Sequence, residues 1–513
     1  MTRKLIKFWP LGILLILTFL LRTIKLEELF YFTYDESVFA FVGRRSVLWN
    51  HIPLIGGATP FGFHVAPYFY WFFAFILWLG NLNPISWGWT GAVIAAVTTI
   101  MMYVVGSSFA NKKVGITAAI LWASSYLANV YDRHFWGLTF GPIFSLVILY
   151  CLYRIIKGSQ KFVYILGISL ALVIHADLSY YVFLAFTIAT WIIFKLPIKK
   201  SATIALSFIF ISFVPLVIFD VRHNLANIRP VADFIRAGRN KPGFEIQKFT
   251  DNLILFPRVA TRFVYTFGDN QIAKQYSYCA SFVSEKFAAI PPIFVIITSL
   301  ALIYFIYWSW RKNKNSSWHL ASFFLILYFA GIQIYGTIFK ADIFEHYLTG
   351  IFSTFLLITA LFISRLPKNL WLATLGFFVA ANLYKFSLAQ NSMGLKYKRQ
   401  AIEYTMQQVG EKDFSLDSLS TCWKYSGYRY LFAVFGQEPV KSYVDPNFAY
   451  LYGTTPVAEK HPSTVVAFVI HDFAPETDQF YSRLALLKSH QISSALFGNV
   501  EVVIMNNSSG WFD

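Results

Sequence analysis

Acidic side chains are scarce in this sequence, and cysteines are scarcer. Asp and Glu number 26 against 43 Lys and Arg, and charged residues make up only 13% of the 513. So few charges exclude an ordinary soluble domain, where about a quarter of residues are charged. The cysteines are Cys151, Cys279 and Cys422; they are odd in number and widely spaced, without the paired spacing of a zinc site. That excludes a disulfide framework and a cysteine-based metal centre. No repeat of fixed period runs through the chain.

What fills the sequence is apolar. Hydrophobic residues are 57% and aromatics 19%, and mean hydropathy is +0.53, which together describe an α-helical polytopic membrane protein. The net charge of +17 sits in short breaks between apolar runs. It therefore reads as topology and contact with anionic lipid, with no nucleic-acid partner.

Windows of about 20 residues, the length that crosses about 30 Å of hydrocarbon, place spans at 8–21, 85–107, 114–130, 138–153, 162–174, 180–194, 202–219, 290–310, 318–339, 348–364 and 370–386. Arg3, Lys4 and Lys7 keep the amino terminus cytoplasmic, as an uncleaved anchor. The apolar stretch 65–79 is short and rich in Gly, Pro and aromatics, and reads as re-entrant or interfacial. Loops assigned inside are basic with almost no acids, and the acids gather in the outer loops. Residues 1–386 thus form a transmembrane domain of about eleven helices. Its first outer loop is 22–84, and its long outer loop, 220–288, is polar and basic. From 387 to 513 the composition becomes that of a small extracytoplasmic α/β domain, with a helix at Gln400–Val409 and buried strands in VVAFVI and VEVVIM.

Candidate chemistry begins at Tyr31–Phe41, YFTYDESVFAF. Asp35 and Glu36 follow the first span in a loop and precede an amphipathic helix, 37–50, expected to lie on the outer leaflet. Partial desolvation there raises a carboxylate pKa toward that of a useful general base. A second acidic and basic cluster, Asp132-Arg133-His134, is expected on the same face; its simplest reading is a salt bridge between Asp132 and Arg133. Cations at outer span ends are Arg222 and His223, and Lys340 with His346 and Tyr347. His175 and Asp177 sit at another outer end; capping or helix packing is the simpler reading, and lining the cavity is the alternative.

Taken together, these stretches resemble the membrane glycosyltransferases that use polyprenyl-phosphate sugars: the protein O-mannosyltransferases, the aminoarabinose-lipid A transferases and their bacterial relatives. The likeness is carried by Tyr34-Asp35-Glu36-Ser37 after the first span, by His64, Pro67 and Tyr68, by Asp132-Arg133-His134, by His346-Tyr347 and by the outer carboxy-terminal domain. Relatives frequently have Arg-Tyr at the position of His346-Tyr347. The resemblance implies a GT-C architecture in a plasma membrane and transfer of a sugar from a polyprenyl phosphate to a glycan, lipid or protein acceptor. It implies Asp35 as general base, Glu36 orienting substrate or helix, and Asp132 binding acceptor hydroxyls or sharing a divalent cation with Asp35. Substrate contacts would come from His64, Arg133, His134, Arg222, Lys340, His346 and Tyr347. The alternatives are a flippase for lipid-linked sugars, disfavoured by the near absence of mid-span charges, and a non-catalytic envelope assembly protein. A soluble nucleotide-sugar donor is disfavoured by the lack of a Gly-rich phosphate loop or an Asp-x-Asp motif.

Overall fold

The structure is a computed structural model. It describes residues 9–59, 61–197, 200–237, 244–265, 290–311, 316–338, 343–419, 427–470 and 477–507. Among the described residues, seven helices are long and apolar enough to cross a membrane, eight with one bent pair counted as a span, and four shorter apolar helices accompany them. The chain is a multi-pass membrane protein, and length and apolarity alone do not fix its spans at eleven.

Helix α1 (Trp9–Thr23) lies against α4 (Ile85–Phe109) and α5 (Lys112–Ser124). Between α1 and α4 come α2 (Tyr34–Trp49) and α3 (Tyr68–Leu79). The 12 residues of α3 reach about 18 Å at 1.5 Å per residue, well short of the hydrocarbon. Contact between α4 and α5 is close because Gly106 faces Gly115: a Cβ on Gly106 would stand 2.9 Å from the Gly115 Cα. Small residues set such approaches between membrane helices.

The span expected at 114–130 is broken. Helices α5 and α6 (Tyr126–Asp132) meet at 62°. Ser125 starts α6, accepting from the Ala128 N–H at 3.2 Å, and the Asn382 side chain accepts from the Tyr126 N–H at 2.7 Å. A helix end leaves four carbonyls without partners; here the Arg22 guanidinium takes those of Ala123 and Trp122.

The bundle continues with α7 (Gly141–Ile156), α8 (Phe162–Val173), α9 (Tyr181–Ile193), α10 (Lys200–Ser212) and α11 (Val214–Arg222). The long outer loop expected at 220–288 contains α12 (Arg229–Ala237) and α13 (Ile246–Val264). Helix α13 buries Leu255, Phe256, Val259, Ala260 and Phe263 in the main core. Spans α14 (Pro292–Arg311), α15 (Ser316–Gln333), α16 (Thr349–Ser364) and α17 (Lys368–Ser387) complete the membrane part.

The carboxy-terminal part contains α18 (Leu395–Val409), α19 (Tyr428–Phe435) and α20 (Asp478–Ser489) with a five-stranded sheet. Its strands are β1 (Phe414–Ser418), β2 (Lys441–Ser442), β3 (Thr464–Ile470), β4 (Gln491–Phe497) and β5 (Val500–Asn506), in the order β2-β1-β3-β5-β4. Strand β1 runs parallel to β2 and β3; β5 pairs antiparallel with β3 and β4, with Ala467 opposite Val503.

Helix α2 does not lie free on a leaflet. Ala40, Phe41 and Val42 join Tyr430, Phe448 and Tyr452 in a core shared with the carboxy-terminal part. The Phe41 and Tyr452 rings are 4.9 Å apart, Arg44 pairs with Glu438 at 2.9 Å, and Arg45 donates to the Tyr450 carbonyl at 3.0 Å. The carboxy-terminal part roofs this helix.

Candidate active site

Asp35 and Glu36 are not in a loop; they occupy the first turn of α2. The sequence marks this, because Thr33 and Glu36 form a capping box: the Thr33 N–H and hydroxyl donate to Glu36 Oε2 at 3.1 and 2.9 Å. Glu36 is buried and its other oxygen pairs with the His134 ring. Burial opposes its ionisation, but His134, its own backbone N–H and Thr33 outweigh that and hold the carboxyl below its usual range. Glu36 therefore serves its own helix.

Asp35 is different. Its side chain is partly open, and no hydrogen bond or ion pair to it occurs among the described residues. Burial, then the charges of Glu36 and Asp177, push its pKa up to about 7. Asp177 comes from the turn between α8 and α9, where it accepts from the Ser179 N–H at 2.8 Å. Burial raises the Asp177 carboxyl as well. Tyr70 lies within electrostatic reach of Asp35, and Tyr328 and Tyr335 within reach of Asp177. Two carboxyls with raised pKa values thus lie within electrostatic reach of each other and of these tyrosines, and Asp35 meets no hydrogen-bond or ion-pair partner among the described residues.

His175, next to Asp177, has a structural role. Its Nδ1 accepts from the Ala66 N–H at 3.2 Å, so its Nε2 carries the proton and donates to Ser212 Oγ at 2.9 Å. Burial lowers its pKa to about 4, keeping the ring neutral.

Asp132 does not pair with Arg133. It accepts from Arg22 Nε at 3.0 Å, with Nη2 at 2.9 Å, in a buried pair. Arg133 is also buried, and its Nη2 donates to the carbonyls of Leu21 at 2.7 Å and Ile24 at 2.8 Å. Each arginine thus caps the helix end that the other's segment leaves open. Asp132 is engaged by Arg22, and the acids within electrostatic reach of Asp35 are Glu36 and Asp177. Among the described residues, no three or more His, Cys, Asp or Glu side chains gather as a metal-holding group.

His134 stands over Trp136 with ring centroids 4.0 Å apart, and Trp136 meets the His346 ring at 5.1 Å. His346 and Tyr347 lie in the turn before α16, and the Tyr347 carbonyl accepts from the Tyr328 hydroxyl at 2.6 Å. His64 is fixed through its backbone: its N–H donates to Asn227 at 2.6 Å and its carbonyl accepts from Asn227 at 3.2 Å. Arg222 is exposed at the end of α11. Lys340 lies outside the described residues.

Two cations were missed by the sequence reading. Arg258 and Arg262 stand one turn apart on α13, and Arg262 pairs with the buried Glu345, which also accepts from the Tyr131 hydroxyl at 3.1 Å. Glu345 adjoins His346, so these arginines reach the turn that carries His346 and Tyr347. Their i, i+4 spacing on an amphipathic stretch was the available signal.

Lys398 comes from the carboxy-terminal part. Its fully buried ammonium donates to the Phe32 carbonyl, three residues before Asp35, and lies over the Tyr428 ring at 5.4 Å. Burial lowers its pKa to about 7, opposed by the charge of Glu36.

No family model and no curated protein sequence matches the chain. Among solved structures, ArnT from Cupriavidus metallidurans bound to undecaprenyl phosphate aligns at a TM-score of 0.53 and 10% identity, covering 98% of each chain. The oligosaccharyltransferase of Archaeoglobus fulgidus in complex with zinc and sulfate aligns at 0.48 and 10% identity, over 89% of this chain and 67% of that one. The second score is below the level at which a shared fold follows. The first likeness extends over the whole chain, and the GT-C architecture that the sequence resemblance implied is the fold of this protein.

Proposed function

We propose that this chain is a membrane glycosyltransferase that moves a sugar from a polyprenyl-phosphate carrier to an acceptor hydroxyl, with Asp35 as general base. One observation carries the proposal: the partly open carboxyl of Asp35, without a hydrogen-bond or ion-pair partner among the described residues and raised to about 7 by burial and by the charges of Glu36 and Asp177. A base is most useful when its pKa lies near the working pH. The acceptor oxygen attacks the anomeric carbon and its proton passes to Asp35. The bond from that carbon to the phosphate oxygen breaks, and the electron pair leaves with the phosphate. Charge growing on the departing phosphate calls for fixed cations, and Arg258, supported by Arg262 and followed by His346, is our choice for that role. A direct displacement of this kind inverts the anomeric centre. Should a divalent cation take part, Asp35 and Asp177 are the carboxylates we assign to it.

We place the Asp35 end on the extracytoplasmic side of a plasma membrane. The opposite ends of the spans carry Lys112, Lys113, Arg154, Lys157, Lys161, Arg311, Arg365 and Lys368 with no acid among them, which supports that orientation.

The test is release of polyprenyl phosphate, followed by mass spectrometry, from a panel of polyprenyl-phosphate sugars incubated with the purified protein and membrane-derived acceptors. Cleavage of one donor in the panel supports the proposal and names the sugar. A folded protein that cleaves none of them, with acceptors present, speaks for the flippase reading.

A further inference from the structure

At the end of the bundle opposite Asp35, the helix ends line an open cavity of about 250 Å³. Its walls include the start of α5 at Asn111, the indoles of Trp308 and Trp318, and the end of α16 at Ser364 and Arg365. We propose that this cavity is a phosphate-headgroup site that takes an anionic phospholipid, with Arg365 as its principal contact.

The guanidinium of Arg365 lies over the Trp308 ring, 4.1 Å from its centroid. None of its five N–H donors meets an acceptor among the described residues. Such a planar fork matches phosphate oxygens in pairs. The loop that carries it is braced. Lys113 donates to the Leu366 carbonyl at 3.1 Å and lies over Trp371 at 5.1 Å, while Trp371 donates to Thr117 at 2.9 Å. Lys113 is thus spent on holding the loop, and Arg365 is left facing the cavity.

The surroundings select the ligand's charge and form. This end of the membrane part is basic and carries no acid among the described residues, so an anion meets no repulsion. The amino-terminal end of α5 lines the same space at Asn111 and Val114, and the positive end of its helix dipole favours an anion there. The volume admits a phosphodiester but not a whole phospholipid, so the chains must run outside. Trp308 belongs to α14, which is the least buried of the seven long spans. Its exposed Leu300, Ile303, Tyr304 and Tyr307 provide an apolar path leading away from the cavity. That continuity with a lipid-facing helix favours a phospholipid over free phosphate.

The experiment is native mass spectrometry of the full chain in detergent, supplemented with phosphatidylglycerol or phosphatidylcholine of equal chain length. The wild type is expected to retain phosphatidylglycerol preferentially, and Arg365→Gln to lose about fivefold of that retention. Lys368→Gln, on the same loop but outside the cavity, is expected to keep it. Should Arg365→Gln fail to fold, Ser364→Leu fills the cavity with the charge intact and is expected to lose the same lipid. Equal retention of the two lipids, or equal retention by wild type and both cavity variants, overturns the proposal. A thermal shift given by inorganic phosphate and not by phosphatidylglycerol would assign the site to a free anion and also overturn it.

Discussion

The carboxyl of Asp35 is held in an unfavourable state by its neighbours, and this has a consequence for stability. Its pKa in the folded chain is about 7 against an ordinary value of 3.8. Between those values the unfolded chain has released a proton that the folded chain keeps, so raising the pH through that window costs stability. Asp35→Asn is therefore predicted to raise the thermal midpoint near pH 8 and to leave it unchanged near pH 4, as read by scanning fluorimetry. Removing the neighbouring charge with Asp177→Asn lowers the Asp35 pKa, so the rising limb of the activity profile should move to lower pH; an unmoved limb would separate the two acids. Asp132→Asn is predicted to act by another route. It leaves Arg22 charged and buried without its partner, a loss of about 3–5 kcal/mol, so folded protein should fall in size-exclusion chromatography. Normal yield with lost turnover would instead give Asp132 a part in the chemistry.

At the scale of elements, the sequence displayed much of the pattern but concealed the exchange between two arginines. Arg22 reads as a basic flank of the first span and Arg133 as a loop cation, because charge near a span end is ordinarily solvated. Both are buried, since a break in one helix and the end of another left carbonyls that only a multivalent donor could satisfy. Periodicity has no means of seeing this, because the partners are about a hundred residues apart in sequence. The start of α2 was legible in principle through Thr33 and Glu36, whereas α13 was hidden by Pro257 and by its polar face. Lys398 is the link between α18 and the loop before α2. Lys398→Met withdraws the donor from the Phe32 carbonyl and loosens that loop, and displacements of about 1 Å in an active site cost up to about a hundredfold in rate. The variant is predicted to fold, with unchanged protease resistance of the outer part, and to turn over about tenfold more slowly or worse. Full activity would make Lys398 a packing residue only.

Over the whole molecule, the layout was the most legible feature: apolar runs punctuated by basic breaks, acids at one end, and a terminal region of soluble composition. These properties are averages over many residues, so the misreading of a single helix does not disturb them. The candidate site was less legible because it is assembled from α2, the turn before α9, α13 and the turn before α16; the sequence singled out Asp35, His346 and Tyr347, but not Asp177 as a partner of Asp35 nor the arginines of α13. The fold explains why the carboxy-terminal part belongs to the same working unit, since it shares a core with α2 and reaches the acids through Lys398. The claim that joins these parts is that Asp35 takes the acceptor's proton. Single-turnover cleavage of the donor, with acceptor present, by wild type and Asp35→Asn from about pH 5 to about pH 9 tests it most directly. The account predicts a wild-type rate that climbs with pH and levels above about 7. It predicts a variant that is at least about a hundredfold slower and flat with pH. A variant that matches the wild type in rate and profile would contradict it.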